Sequence, residues 1–249
     1  MKLADHSLDP TVLFEGHGGI HVPRLVRYFK KSRLPDTRNG RFWFSTLSGF
    51  RKGEELRFSD DEEGNIIYSF DIEGRFAKGI EVPPFSLRPE GGPKDYSIKG
   101  GRVHLPVDAF AMCFSIGPYD RSHHREMLDR NGDLTEFAEI DTAKLLAALS
   151  HLGKKKGLIE PPHIGLWATA VRYEDRIFSL KLRAPEHDGF SFKDIKHYAW
   201  TRAAFYKPHR FNYEREYRVV FRASVPEGDN GILMESHHIK RSILRTGHY

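Results

Sequence analysis

Two glutamates stand close together in the segment Tyr213-Glu-Arg-Glu-Tyr-Arg218, near the end of the chain. Successive side chains of a strand point to opposite faces, so Glu214, Glu216 and Arg218 are predicted to share one face. Carboxylates about 7 Å apart, the spacing of alternate strand residues, raise each other's pKa unless a cation compensates. Such a pair suits a reaction in which one carboxylate stabilises a positive charge and the other accepts a proton.

The alternation of charges in this segment also has a simpler explanation. An antiparallel sheet that is covered on one side often carries charged residues on the side that faces water. Glu214, Glu216, Arg218 and Arg222 would then form a ladder of charges across neighbouring strands. Periodicity alone favours this solvated ladder over a catalytic pair.

A second group of polar side chains follows the aromatic segment Arg41-Phe-Trp-Phe-Ser-Thr46. The hydroxyls of Ser45, Thr46 and Ser48 lie close together in the sequence, and hydroxyls can hold a carboxylate or a ribose in place. The simpler alternative is that Ser45 and Thr46 end a strand and begin a turn, which is a common use of these residues.

A histidine among glycines near the start of the chain is a weaker candidate. His17 lies in Glu15-Gly-His-Gly-Gly19, and glycines allow a ligand to approach the backbone closely. The segment lacks the spacing of a dinucleotide-binding loop or of a phosphate-binding loop. On its own, His17 indicates no specific ligand.

Other histidines and the cysteine are predicted to have no chemical role. The pairs His123-His124 and His237-His238 lack a further ligand at metal-binding spacing, so they are predicted to be surface residues and no metal is expected. The single cysteine, Cys113, lies in the apolar segment Ala109-Phe-Ala-Met-Cys-Phe-Ser115. We expect it to be inert, because apolar surroundings disfavour a thiolate.

The composition predicts a folded, soluble protein. The 249 residues are 39% hydrophobic and 29% charged, which is too apolar for a disordered chain. The net charge of +5 favours a polyanionic partner only slightly, because acidic and basic residues are mostly interspersed. The single cysteine, the absence of a signal-peptide pattern and the lack of a membrane-length apolar run predict a cytoplasmic protein with no membrane partner.

The hydrophobic patterns predict strands and helices within a single domain that covers residues 1–249. Strands are predicted at residues 11–17, at 41–46, at 213–221 and at 109–115, the last of these central and buried on both faces. Residues 166–173 and 177–182 are predicted to form a hairpin. Helices are predicted from Pro23 to just before Pro35, from Asp141 as cap to Gly153 as stop, and from Ser191 toward Pro208.

Short motifs follow one another over nearly the whole chain. They are Val12-Leu-Phe, Arg41-Phe-Trp-Phe-Ser-Thr, Ala111-Met-Cys-Phe-Ser115, Val171-Arg-Tyr173 and Phe211-Asn-Tyr-Glu-Arg-Glu-Tyr-Arg218. Their order resembles an uncharacterised bacterial family defined as a domain of unknown function. The chain departs from that family at Ser48-Gly-Phe-Arg-Lys, where the family tends to have phenylalanine-asparagine-aspartate-proline. It departs again at Asp120-Arg-Ser-His-His, where a segment with tryptophan and tyrosine is expected.

The same arrangement is similar to the ADP-ribosyltransferase superfamily. In that superfamily a histidine or arginine of the first strand, a serine-threonine-serine strand and a late glutamate-x-glutamate bind NAD and carry the reaction. The resemblance implies an α+β fold, with a mixed, mainly antiparallel, split β-sheet core and flanking helices. It also implies NAD-binding roles, which fall on His17, Ser45, Thr46 and Ser48. An aromatic side chain, Trp43, Phe44 or Phe50, could stack on nicotinamide, and at least two of these three are expected to serve core packing instead.

The resemblance further implies a catalytic role for each glutamate. Glu216 would hold the ribose of NAD and stabilise the oxocarbenium-like state as nicotinamide leaves, whereas Glu214 would orient or deprotonate the acceptor. A fixed carboxylate stabilises such a developing cation most strongly in a dry site. The expected function is transfer of ADP-ribose from NAD, used as substrate, to a macromolecular acceptor, protein or nucleic acid, in a bacterial toxin or defence factor.

Two other functions remain open from the sequence. The chain could be a non-catalytic module whose charged strand face contacts a nucleic acid or a protein, or a structural or regulatory protein without a small-molecule site. The enzyme hypothesis requires Glu214, Glu216, Ser45 and His17 to converge on one cleft.

Overall fold

The fold is known from a computed structural model of the chain. It describes residues 22–51, 64–83, 85–159, 165–175, 177–222, 225–226 and 228–249. The predicted strand at residues 11–17, which contains His17, lies outside these ranges. Within them, no helix combines the length and the apolar character needed to cross a membrane.

The elements of the described residues are numbered in chain order. The strands are β1 (Arg24–Phe29), β2 (Arg41–Thr46), β3 (Asn65–Phe76), β4 (Ile80–Val82), β5 (Phe85–Leu87), β6 (Lys94–Pro106), β7 (Phe110–Ile116), β8 (Glu136–Asp141), β9 (Leu166–Ala170), β10 (Arg172–Tyr173), β11 (Phe178–Arg183), β12 (Tyr206–Lys207), β13 (Glu216–Phe221), β14 (Gly231–Glu235) and β15 (Ile243–His248). The helices are α1 (Leu34–Arg38), α2 (Leu47–Arg51), α3 (Arg121–Asn131), α4 (Thr142–Lys155), α5 (Lys196–Phe205) and α6 (His237–Ser242). Short 3-10 turns cover Lys31–Arg33, Phe192–Asp194 and His209–Glu214.

The largest sheet has eight strands and its strand pairs are antiparallel. Its main path runs β14-β2-β7-β1-β8-β15, and β13 pairs with both β7 and β9. One flank of β7 pairs with β13, while the other pairs with β2 at Ser45 and Thr46 and with β1 at Leu25 and Val26. The predicted mixed, mostly antiparallel α+β architecture is confirmed, and β7 occupies the central position predicted for it.

Helices α4 and α6 cover one face of this sheet and form the main hydrophobic core with it. Leu145 and Leu149 of α4 and Ile239 of α6 are fully buried there. Each such side chain stabilises the fold by about 1.5–3 kcal/mol. The carboxylate of Asp141 accepts a hydrogen bond from the backbone N–H of Lys144, so Asp141 caps α4 as predicted.

Gly153 does not stop α4, contrary to the prediction. The helix continues to Lys155, and Gly153 is buried against the rest of the protein. A Cβ atom at Gly153 would lie 2.6 Å from Cε1 of Phe221 and 2.8 Å from Cδ1 of Ile159. Tertiary packing therefore explains this glycine better than helix termination does.

A second, three-stranded sheet joins β11, β3 and β6, with β11 parallel to β3. Helix α5 lies between the two sheets: Ala199 and Ala203 pack in the core of the smaller sheet, and Trp200 and Ala204 pack against the larger one. The predicted single domain over residues 1–249 stays a prediction.

Two predicted elements are wrong because long-range pairing overrides local pattern. The segment after Pro23 is not a helix but β1, which lies between β7 and β8 with Leu25 and Val26 buried. Residues 166–173 and 177–182 form strands but no hairpin, because β9 pairs with β13 and β11 pairs with β3. The predicted helix after Ser191 begins later, as α5 at Lys196, and ends before Pro208.

Comparing an alanine at Gly40 with an alanine at Gly91 should separate the cost of steric overlap from the cost of backbone strain. Gly40 has a φ of +70°, and a Cβ there would lie 2.6 Å from both the backbone N of Lys240 and the carbonyl O of Ser236. We expect Gly40→Ala to lower the free energy of unfolding by about 2–4 kcal/mol, since left-handed strain and overpacking add. Gly91 has a φ of +77° but open space around it. Gly91→Ala should therefore cost only about 1–2 kcal/mol in chemical denaturation, and equal losses would contradict the packing account.

Candidate functional site

A cavity of about 310 Å³ opens on the face of the large sheet that α4 and α6 leave free. The sheet forms its floor through Val26 and Tyr28 of β1, Cys113 and Ser115 of β7, and Glu216 and Arg218 of β13. The rest of the lining consists of Lys30, Phe50, Phe114, Met127, Asn131, Asp133, Leu134, Lys207 and Glu214. The register of β13 against β7 explains why these side chains lie together, because Glu216 pairs with Ser115 and Arg218 pairs with Cys113. Residues opposite one another in a sheet point to the same side.

Four charged side chains form a connected network in this cavity. Nε of Arg218 lies 2.6 Å from Oε1 of Glu216, and Nζ of Lys207 lies 2.8 Å from Oε2 of the same carboxylate. Lys207 Nζ also lies 2.6 Å from Oε2 of Glu214. Nη1 of Arg218 donates to the backbone carbonyl of Ala204, 2.5 Å away. The network therefore holds two carboxylates and two cations in fixed positions.

The backbone between the two glutamates is not the predicted strand. Glu214 ends a 3-10 turn, Arg215 has a left-handed backbone with φ of +46°, and β13 begins only at Glu216. The prediction that Glu214 shares a strand face with Glu216 is therefore wrong, although Glu216 and Arg218 do share one. The two carboxylates nevertheless meet, because Lys207 binds both of them.

The charges on β13 are not a solvated ladder. Only 2% of Glu216 and 1% of Arg218 is exposed, and every residue of β13 is buried. Glu216 and Arg218 are reached only through the cavity that they line. The hypothesis of a non-catalytic binding module stays a hypothesis.

The two carboxyl groups differ in their affinity for protons. Burial raises the pKa of Glu214 to about 7; Lys207 opposes this shift and the charge of Glu216 adds to it. Burial also acts against ionisation of Glu216, but Arg218 and Lys207 outweigh it and hold the pKa of Glu216 well below its usual value. Near neutral pH, Glu214 exchanges a proton while Glu216 stays ionised.

Two groups beside Glu216, the Tyr173 phenol and the Cys113 thiol, are held in their neutral forms. The backbone N–H of Glu216 donates to the hydroxyl of Tyr173 at 2.7 Å, and burial raises the pKa of this phenol. Cys113 lines the cavity beside Glu216, and burial raises the pKa of its thiol well above the usual value. A thiol in this state is a poor nucleophile. Cys113 is half-buried in the cavity and not enclosed in the core, as the apolar segment had predicted; that it is inert stays a prediction.

The predicted hydroxyl motif lies at the end of β2 and bonds to neighbouring groups. The hydroxyls of Thr46 and Ser48 lie 3.0 Å apart, and the backbone N–H of Ser48 donates to Oδ1 of Asp108 at 3.0 Å. The hydroxyl of Ser48 also contacts the Asp108 carboxylate. The Ser45 hydroxyl lies 3.4 Å from the carbonyl of Asn230. Ser45, Thr46 and Ser48 are absent from the cavity wall, and these bonds match the turn-forming alternative.

The other two predicted NAD-binding residues are also not brought to the cavity. Trp43 lies on β2 with 45% of its surface exposed and does not line the cavity. His17 lies outside the described residues. Of the four residues that the enzyme hypothesis required to converge, the structure brings Glu214 and Glu216 together, and Ser45 does not join them. The required convergence is therefore not met at Ser45, and an enzymatic function would have to rest on the two glutamates without the hydroxyl motif.

Several residues of the site were missed by sequence reasoning. Lys207 precedes Glu214 by a proline and an irregular turn, so no periodic pattern links the two. Asn131 ends α3 at the cavity wall, and its buried Oδ1 has no hydrogen-bond partner among the described residues. Such an acceptor is available to a ligand that carries an N–H or O–H group.

One histidine of α3, His123, supports the turn that carries Glu214. His123 and His124 are buried, so the prediction that they are surface residues is wrong, whereas His237 and His238 are exposed as predicted. Nε2 of His123 lies 2.9 Å from the carbonyl O of Tyr213, next to Glu214. This contact links α3 to the turn, whereas Nε2 of His124 lies 2.7 Å from the carbonyl O of Leu134 and does not contact the turn.

Searches against models of protein families, curated proteins and solved structures found no match for the chain.

Stability should depend on pH through Glu214. Its pKa is raised in the folded protein, so its stabilising contribution is complete below pH 4.5 and is lost as pH rises through about 7. Gln stays neutral, so Glu214→Gln should become more stable relative to the parent protein by about 1–3 kcal/mol between pH 5 and pH 8. Denaturant unfolding at the two pH values measures this difference. The exposed control Glu90→Gln should show the same change at both, and a pH-independent effect of Glu214→Gln would contradict the assignment.

Replacing Arg218 should lower the free energy of unfolding, because Arg218 compensates the buried negative charge of Glu216. Arg218→Met leaves Glu216 buried with only Lys207 as its cation, and we expect a loss of about 3 kcal/mol in the free energy of unfolding. Adding Glu216→Gln removes the uncompensated charge and should recover part of this loss. A double-mutant cycle by chemical denaturation measures the coupling. Simple additivity of the two single changes would show that the ion pair is not coupled.

Proposed function

We propose that the cavity is the active site of an enzyme that transfers ADP-ribose from NAD to a macromolecular acceptor. The observation that carries the proposal is the pair of carboxyl groups in one cavity, of which Glu214 exchanges a proton near pH 7 and Glu216 stays ionised. Acid–base catalysts work best when their pKa lies near the operating pH.

The reaction assigns a separate task to each carboxyl group. The bond between nicotinamide and the anomeric carbon breaks with both electrons going to nicotinamide, which leaves as a neutral molecule. The remaining positive charge on the ribose is stabilised by the fixed anion of Glu216. An oxygen or nitrogen of the acceptor attacks the anomeric carbon and its proton passes to Glu214.

The size and charge of the cavity support one end of NAD as the occupant. A volume of about 310 Å³ is at the lower limit of ligand pockets, which is about 300 Å³, so the cavity suits the nicotinamide ribose rather than the entire dinucleotide. The six charged side chains that line the cavity are three cations (Lys30, Lys207, Arg218) and three carboxyl groups (Asp133, Glu214, Glu216); their charges sum to zero when Glu214 is ionised and to +1 when it is protonated. Neither state repels the negatively charged pyrophosphate of NAD.

The proposed binding differs from the one that the superfamily resemblance implies. The hydroxyls of Ser45, Thr46 and Ser48 lie outside the cavity wall, so the ribose is held instead by groups of the cavity itself. Asn131, with its unpartnered carbonyl oxygen, is the first candidate. The pairing of β7 with two strands on one flank supports a split, ADP-ribosyltransferase-like sheet as the fold.

Glu214→Gln is the variant that tests this function. It preserves the size of a group that is largely protonated below pH 7, so the fold is retained while the proton acceptor is lost. We expect nicotinamide release from NAD to fall by about 100-fold or more, and the alkaline rise of the pH–rate profile near 7 to disappear. The measurement is nicotinamide release by the full chain between pH 5 and pH 9, with water or a cellular extract as acceptor.

Ser179→Ala, in the smaller sheet, is the matched control. Its hydroxyl bonds only to Ser69 at 2.9 Å within the described structure, and its variant should keep the parent rate. Absence of both NAD binding and nicotinamide release in the parent protein at every pH would overturn the proposal. Equal rates in Glu214→Gln and Ser179→Ala would remove Glu214 from the reaction.

A further inference from the structure

A groove of about 630 Å³ lies on the far side of the large sheet from the cavity, between α4 and α6. Its described lining consists of Lys144, Ala147, Ala148 and His151 from α4 and His238 and Arg241 from α6. Apart from the two alanines, every side chain of this lining is a lysine, an arginine or a histidine. A groove with this lining attracts anions and repels cations.

The basic side chains of the groove are close to one another. The ring centroids of His151 and His238 are 6.3 Å apart across the groove, and those of His237 and His238 are 3.7 Å apart. Some burial, followed by the proximity of His237, His151 and Arg241, lowers the pKa of His238. An anion in the groove would favour the protonated form of His238.

No acidic side chain belongs to the groove lining among the residues described. One of the basic side chains of the lining has an acidic partner outside it: Oδ2 of Asp141, the cap of α4, lies 3.3 Å from Nζ of Lys144. Lys154, Lys155 and Lys240 are exposed on the same two helices.

We propose that the α4–α6 groove binds the phosphate backbone of a single nucleic-acid strand. A concave site lined by basic side chains suits a flexible strand, and the further lysines along both helices provide for more than one phosphate. The groove is separated from the cavity by the sheet itself. Its role therefore does not depend on the proposed enzymatic function.

The test compares two variants that remove the same charge. Lys144→Gln/Arg241→Gln neutralises the groove, and Lys181→Gln/Arg183→Gln neutralises a groove on the smaller sheet that also contains Asp71 and Glu73. The probes are fluorescent single-stranded DNA and RNA oligonucleotides, titrated with the full chain at several salt concentrations. We expect the first variant to bind at least about tenfold more weakly at low salt. Its slope of log affinity against log salt should be smaller by about 1.4, or 0.7 for each lost phosphate contact.

The control variant should bind like the parent protein. Equal weakening in both variants would show attraction by net charge alone and overturn the proposal. Binding of inorganic phosphate as tight as that of the oligonucleotides would also overturn it, in favour of a small-anion site. All four changed side chains are exposed, so thermal unfolding should confirm that both variants fold.

One measurement on the unmodified protein complements the variants. The imidazole proton resonances of His151 and His238 should shift when the oligonucleotide is added, while those of His104, exposed on the smaller sheet, should not. Shifts confined to histidines outside the groove would place the nucleic acid elsewhere and overturn the proposal.

Discussion

The burial of an ionised carboxylate at Glu216 is the constraint on which the candidate site depends. Removing a carboxylate from water costs several kcal/mol even after the protein relaxes, unless cations and hydrogen bonds compensate it. Arg218 supplies the first cation from the same strand, and Lys207 supplies the second from across the cavity. Because Arg218 is itself almost fully buried, it also needs the carbonyl of Ala204 at the end of α5.

This requirement links elements that are far apart in the sequence. Lys207 reaches Glu216 only because α5 ends at Phe205 and the chain continues through β12. Glu214 reaches Lys207 only because the backbone turns left-handed at Arg215 before β13 begins. The turn is held in place by the hydroxyl of Ser115, which donates to the carbonyl of Glu214 at 2.9 Å, and by His123. The proton affinity of Glu214 is thus a consequence of how several elements pack.

The large sheet separates two regions of different chemistry. One face is covered by α4 and α6, whose apolar sides form the main core and whose outer sides carry the basic groove. The other face is only partly apolar, with α5 packing through Trp200 and Ala204 and with the charged network beside it. The alternation of side chains along each strand produces this difference, since adjacent residues of β7 and β13 serve opposite faces.

The sequence by itself determined the elements that local pattern specifies. The aromatic strand β2, the central strand β7 and the capped helix α4 follow from alternation, apolar character and a capping aspartate, and these signals lie within a few residues of one another. The sequence also singled out Glu214 and Glu216. Only the tertiary structure decided that β1 is a strand, because its hydrogen-bond partners in β7 and β8 lie far along the chain. It likewise decided that the two glutamates share Lys207 inside a cavity, that Ser45 and Thr46 serve a turn, and that His123 is buried. Burial, charge compensation and strand pairing arise from contacts between distant residues, and no local periodicity encodes them.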